Sequence, residues 1–244
     1  MKKHALALLA IGLSLSLPVA AQDEEADAVE YGWTGSGEFG LVKTTGNTDT
    51  EAVNLKLEFI HTSELWRERL FASALSSSKD GEQDSERYVV EAQGDRILSE
   101  KSYLFVVGRW DSDKFGSYDP QASVAAGYGR QFIKTDTHEF KGEIGAGYRR
   151  LEERVTGITS DEAIVRGLLE DGWQITDSTM WHNRLLVESG SDNTFTQFNT
   201  DLAVAINAKL ALKLGYEVRN NSTLPAGSTD KTDTVTTVNL VYHF

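Results

Sequence analysis

Long stretches of this chain alternate apolar side chains with small, polar or charged ones at every second position, and that period fixes the local structure. Phe198, Thr200, Leu202, Val204 and Ile206 share one parity, while Gln197, Asn199, Asp201, Ala203 and Ala205 share the other. Leu210, Leu212, Leu214, Tyr216 and Val218 interleave in the same way with Lys209, Ala211, Lys213, Gly215, Glu217 and Arg219. Phe140, Gly142, Ile144, Ala146 and Tyr148 alternate with Glu139, Lys141, Glu143, Gly145, Gly147 and Arg149. Successive strand side chains point to opposite faces, so each segment reads as a strand with one apolar and one polar face. Amphipathic helices repeat at about 3.6 residues and do not fit this pattern.

Alternation and turn residues together predict twelve strands, near 31–44, 50–62, 65–78, 84–98, 101–114, 119–133, 137–151, 161–175, 178–189, 194–207, 209–220 and 232–244. The connections after even-numbered strands are very short, around Ser63-Glu64, Ser99-Glu100, Thr135-Asp136, Thr176-Asp177 and Asn207-Ala208. Those after odd-numbered strands are mostly longer and rich in Gly, Asp, Ser and Asn; in the first, Gly46 and Asn47 of Thr45-Gly46-Asn47-Thr48 suit a chain reversal. An even strand count with tight turns at one end and looser loops at the other predicts an all-β, transmembrane, antiparallel up-and-down β-barrel of about 12 strands. Strands of about 12–15 residues exceed those of soluble sheets and suffice to cross a bilayer at a tilt. Trp33, Trp66, Trp173 and Trp181 fall near short-turn ends, with Tyr242 and Phe244 on the same side, as an interfacial girdle would. Trp110 lies toward a loop end. Strand five departs from the rule, with Tyr103 and Phe105 on one face and Leu104 and Val106 on the other, and Arg67-Glu68-Arg69 must turn at least one charge outward.

The ends of the chain carry addresses. Basic Met1-Lys2-Lys3-His4, an apolar run from Ala5 to Leu17 and the small residues Val19-Ala20-Ala21 read as a signal peptide over 1–21, cleaved before Gln22. Residues 22–30 form an acidic N-terminal segment and 31–244 the barrel. At the other end Val238, Leu240, Tyr242 and Phe244 share a face and finish on a terminal aromatic, resembling the strand by which the outer-membrane assembly machinery recognises barrels. With 37 acidic against 24 basic residues, a net charge of −13, nucleic acid is a poor partner, and the absence of cysteine excludes disulfides, iron–sulfur clusters and thiolate zinc sites.

The polar face defines a lumen. By parity it holds Lys56, Glu58, Arg109, Asp111, Lys141, Glu143, Arg149, Glu162, Arg166, Glu170, Lys213, Glu217 and Arg219. Opposite charges on one face and on neighbouring strands pair across strands, which obstructs a twelve-stranded interior; wide aqueous channels need about 16–18 strands. Catalytic, cofactor and metal residues are not expected. His61, His138 and His182 stand near short-turn ends as solitary interfacial histidines, and His182 and Asn183 with Ser178 or Ser189 lack a nucleophile motif. Acidic residues cluster at loop-side connections, Asp80, Glu82, Asp84 and Glu86, then Asp111, Asp113 and Asp119, then Glu152, Glu153, Asp161 and Glu162. Such a rim could hold divalent cations weakly among lipopolysaccharide phosphates, although no calcium-loop spacing is present.

The glycine-rich start Trp33-Thr34-Gly35-Ser36-Gly37-Glu38-Phe39-Gly40, the run Thr44-Thr45-Gly46-Asn47-Thr48-Asp49-Thr50 and the aromatic C-terminal strand resemble the YdiY-like family of salt-induced outer-membrane barrels. The likeness covers nearly the whole mature chain. It implies an outer-membrane location among lipids and lipopolysaccharide, no established activity and no catalytic residues. The role expected is envelope integrity or restricted passage of small solutes and ions under osmotic or salt stress. A surface lipid-modifying or proteolytic enzyme and a passive scaffold are the alternatives.

Overall fold

The computed structural model describes residues 31–44, 49–225, 227–228 and 230–244, so the leader, the acidic segment 22–30 and the turn at 45–48 lie outside the described residues. Twelve strands follow in order: β1 Gly32–Thr44, β2 Thr50–Thr62, β3 Trp66–Lys79, β4 Glu82–Ser99, β5 Ser102–Asp113, β6 Tyr118–Lys134, β7 His138–Glu153, β8 Thr159–Thr176, β9 Thr179–Ser189, β10 Thr194–Ala205, β11 Leu210–Asn221 and β12 Thr232–His243. No boundary is more than two residues from the one the alternation predicts. Each strand pairs antiparallel with the next, and β1 with β12, so the sheet closes as an up-and-down barrel. Closure leaves no free edge, which is the condition for strands to cross hydrocarbon.

The apolar parity faces out. Leu57, Leu70, Val106, Val124, Leu169, Leu202, Leu214 and Leu240 are exposed, and Ile144 reaches 65%. A continuous exposed apolar wall of this extent needs an apolar surrounding. Trp33, Trp66, Trp173, Trp181, Tyr242 and Phe244 line its short-turn rim, and Tyr88, Trp110, Tyr148 and Tyr216 its loop-side rim, all of them exposed. Val238, Leu240, Tyr242 and Phe244 belong to this outer face.

Neighbouring strands account for both irregular segments. On β5, Tyr103, Phe105 and Val107 are buried inside while Leu104 and Val106 face out. Glycines on β6 and β7 make the room: a Cβ on Gly129 would stand 2.2 Å from Tyr103 Cζ, and one on Gly145 2.9 Å from Phe105 Cζ. On β3, Arg67 and Arg69 turn into the lumen and Glu68 turns out near the short-turn rim, where its carboxylate lies 3.0 Å from His61 Nδ1. An outward charge is tolerated there because its cost falls toward the interface.

The closing seam is the shortest ladder. β1 and β12 pair over four positions only, from Ser36↔His243 to Phe39↔Leu240, whereas β1 and β2 pair from Gly32↔Thr62 to Thr44↔Thr50. Gly35 and Phe244 exchange backbone bonds of 2.9 and 3.0 Å at the short-turn end. Inside the last paired rung, Asn54 Nδ2 donates to Asn239 Oδ1 at 3.1 Å and Asn239 Nδ2 donates to Glu38 Oε2 at 2.9 Å.

Candidate functional site

The lumen is the candidate site, and its charges arrive there by strand parity alone. Lys56 and Glu58 on β2, Arg109 and Asp111 on β5, Lys141, Glu143 and Arg149 on β7, Arg166 and Glu170 on β8, and Lys213, Glu217 and Arg219 on β11 all contact other inward-facing charges. The structure also brings in Glu38, Arg67, Arg69, Arg87, Glu91, Asp95, Asp113, Arg184 and Glu188. Those on β4 were legible in the same way, because Arg87, Glu91 and Asp95 share one parity while Tyr88, Val90, Ala92 and Gly94 share the other.

These groups form two tiers. Toward the short turns lies a cavity of about 540 Å³ that reaches Asp177 and Ser178 and is walled by Glu38, Lys56, Glu58, Glu170, Asp201 and Lys213. Lys213 pairs with Glu38 across the seam, and Lys141 Nζ lies 2.7 Å from Glu170 Oε2. Above the cavity the interior is crossed by arginine–carboxylate pairs. Glu91, only 2% exposed, accepts from Arg69 at 2.7 Å, Arg109 at 3.2 Å and Arg184 at 3.2 Å. Asp111 accepts from Arg219 at 2.8 Å and Arg109 at 3.1 Å, with Arg87 Nε 3.4 Å away. Arg87 bonds Glu217, Arg109 donates to Gln197 at 3.0 Å, and Arg219 donates to Asp113 at 2.6 Å.

Strand order gives these bonds their meaning. β4 and β5 stand across the closed sheet from β9, β10 and β11, so Arg184–Glu91, Arg109–Gln197, Arg87–Glu217 and Arg219–Asp111 span the interior. The flank under β5 to β8 is filled as well. Glu143 accepts from Tyr103 Oη at 2.9 Å and Arg166 Nη1 at 2.8 Å, and the Arg166 guanidinium lies 5.4 Å from the Phe105 ring centroid. Arg149 pairs with Glu162 at 2.5 Å, both almost wholly buried. Two smaller pockets border the crossing pairs, one of about 40 Å³ beside Arg87 and Glu217 and one of about 10 Å³ beside Arg109 and Asp111. A plate of bonded charges thus bridges the interior on the loop-side wall of the cavity.

The histidines divide. His61 and His138 sit on the outer face near short-turn ends, each beside a carboxylate. His182 does not match the interfacial expectation: it faces the lumen, 3.4 Å from Glu170 and 3.8 Å from Asp201. Asn183 points to the opposite face, where it meets Asp171 and Thr200, and Ser189 bonds Thr194, so neither joins His182; Ser178 lines the same cavity as His182, with no hydrogen bond between the two among the described residues. Several acidic residues of the loop-side clusters turn inward or pair locally: Asp111, Asp113 and Glu162 with arginines of the lumen, Asp119 with Lys114 at 3.0 Å, and Asp161 with Arg150 at 2.7 Å. Among the described residues, no group of three or more His, Asp or Glu side chains is placed to hold a metal ion.

The barrel resembles a NanC porin structure, with a TM-score of 0.52 and 11% identity over 86% of this chain and 98% of that one. It resembles an outer membrane channel from Pseudomonas putida F1 similarly, at a TM-score of 0.51 and 10% identity over 91% of this chain and all of the other. Identities this low speak to fold alone. In sequence the chain is 27% identical over 244 residues to the uncharacterized protein YdiY of Escherichia coli (strain K12), covering 98% of this chain and 96% of that protein. The model of the family described as "Protein of unknown function, DUF481" matches residues 37–244, and the chain belongs to that family.

Proposed function

We propose that this protein is an outer-membrane barrel that is closed at rest and passes only small ions or solutes, in support of envelope integrity under osmotic or salt stress. In this reading the leader is removed after Ala21, the β12 strand engages the assembly machinery, and the short turns face the periplasm while the longer connections meet lipopolysaccharide. The lumen binds and steers charge and performs no covalent chemistry. The observation that carries the reading is the set of bonds crossing the interior, Arg87–Glu217, Arg184–Glu91 and Arg219–Asp111, above a cavity that extends to Asp177 and Ser178 at the short-turn end.

Salt acts on such a plate directly. Screening shortens from about 8 Å at physiological ionic strength to about 3 Å at 1 M, so pairs bordering a wet cavity weaken as salt rises. Single-channel recording of the refolded mature barrel in planar bilayers tests this. Conductance steps are rare at low salt and grow more steeply than bulk conductivity as salt increases, and Glu217→Ala, which leaves Arg87 only its longer contact with Asp111, makes them frequent at low salt. A correctly folded barrel that stays silent at every salt concentration, in both forms, is a scaffold and not a conduit.

A further inference from the structure

The outer wall of β7 to β10 carries a chain of polar groups inside its apolar belt. Trp181 Nε1 donates to Thr200 Oγ1 at 2.9 Å, Thr200 Oγ1 donates to Asn183 Oδ1 at 2.8 Å, and Asn183 Nδ2 reaches Asp171 Oδ2 at 3.4 Å. His138 Nε2 lies 2.7 Å from the other oxygen, Asp171 Oδ1. The chain therefore ends on a carboxylate. On the same face Asp171 stands between exposed Leu169 and the rim residue Trp173, so it lies just inside the short-turn rim of the belt. Thr200 is likewise flanked by Phe198 and Leu202.

An ionisable group on a lipid-facing wall is costly and marks a functional site by default. A carboxylate has about four acceptor sites. Asp171 receives one short bond and one long one from the protein, and its side chain remains 30% exposed, so its outward side still accepts donors. A cation stands near it. Arg130 on the outer face of β6 is exposed and has no partner among the described residues. Its rung runs through Gly142 to Leu169, two strands away, about 10 Å. Gly142 keeps the wall between them shallow, since a Cβ there would meet Phe132 at 2.9 Å and Leu169 at 3.1 Å. The Phe132 and Phe140 rings, 5.4 Å apart, edge this floor, and Trp173, the next outward-facing residue after Asp171, marks headgroup depth beside it.

We infer that this wall is a binding site for the headgroup of an aminophospholipid of the phosphatidylethanolamine type, in the leaflet at the short-turn end. The primary ammonium donates to Asp171 and the phosphodiester lies on Arg130. Phosphatidylcholine carries the same charges but no N–H to donate, and phosphatidylglycerol brings an anion with no ammonium to a wall that presents a carboxylate. The inference rests on the outer wall and is independent of whether the lumen conducts.

Native mass spectrometry of the purified full barrel, titrated with each of the three lipids, tests it. Phosphatidylethanolamine adducts exceed phosphatidylcholine adducts by about tenfold, the worth of one charge-assisted hydrogen bond. Asp171→Asn, similar in shape, brings the two lipids level, while Arg130→Gln weakens both and leaves their ratio unchanged. Heat-modifiable gel mobility verifies that each variant is folded, and Arg130→Gln removes no side-chain hydrogen bond or ion pair among the described residues. Equal retention of the two lipids by the unaltered barrel, a preference that survives Asp171→Asn, or binding of both unchanged in Arg130→Gln would overturn the site.

Discussion

Replacing Glu91 by Gln tests whether the crossing plate is held by charge. The substitution keeps volume and one acceptor oxygen but removes the anion that three guanidiniums share. Those three are not equally exposed to the loss. Arg69 retains Glu58, and Arg109 retains Asp111 at 3.1 Å and Gln197 at 3.0 Å. Among the described residues Arg184 makes no second ion pair within 4 Å, Glu170 facing it from the paired position on β8 at longer range, and its Nε is already buried without a hydrogen-bond partner. Stranding one member of a buried pair costs about 3–5 kcal/mol, and because Arg184 borders the cavity, the lower end applies, about 3 kcal/mol. Equilibrium urea unfolding of the refolded barrel, followed by tryptophan fluorescence under reversible conditions, reads that loss. Removing the stranded cation as well, in Glu91→Gln/Arg184→Ala, recovers about 1–2 kcal/mol of it. The electrical counterpart is an anion preference in any steps the single variant shows, since a carboxylate has left a plate of arginines. A single variant within about 0.5 kcal/mol of the parent, or a double variant at the sum of its parts, would refute the reasoning.

The packing and the seam give two further tests. Gly145→Ala sets a Cβ 2.5 Å from Ala126 O and 2.9 Å from Phe105 Cζ, and loses about 2–3 kcal/mol in the same unfolding assay. Gly167→Ala, with nothing within 4 Å of its added Cβ, stays within about 0.5 kcal/mol. A comparable loss at both positions would mean that the aromatic filling is not what the glycines serve. At the seam, the β1 amides of residues 40–44 that face β12 exchange hydrogen faster than those facing β2, because β12 pairing stops at Phe39↔Leu240. Equal protection on both sides of β1, by hydrogen-exchange mass spectrometry with electron-based fragmentation, would contradict that asymmetry.

Much of the molecule was legible because a strand encodes its two faces in residue parity. The strand limits, the outward Leu and Val positions and the lumenal assignment of residues such as Lys213 and Glu217 all follow from counting by two. The same count places His182 with Arg184 and Glu188 on the inner face; nearness to a strand end is a weaker signal than parity, which is why the interfacial reading of that histidine failed. β5 could not be resolved alone, since the face that takes Tyr103 and Phe105 is decided by Gly129 and Gly145 on two other strands.

Partners across the lumen were beyond reach for a geometric reason. Arg87 and Glu217 are 130 positions apart, and Arg219 and Asp111 108. Which rung of β4 faces which rung of β11 depends on the stagger and tilt with which the sheet closes, a property of all the turns together and of no single segment. Composition shows that the lumen holds both signs, but only closure shows that the arginines reach carboxylates on opposite walls. That geometry favours a shut barrel over a charged tube. Glu91 and Asp111 each serve several arginines from both sides of the lumen, so the plate that bridges the interior depends on a few acidic groups, and loss of one should open it more than loss of any pair at the cavity wall.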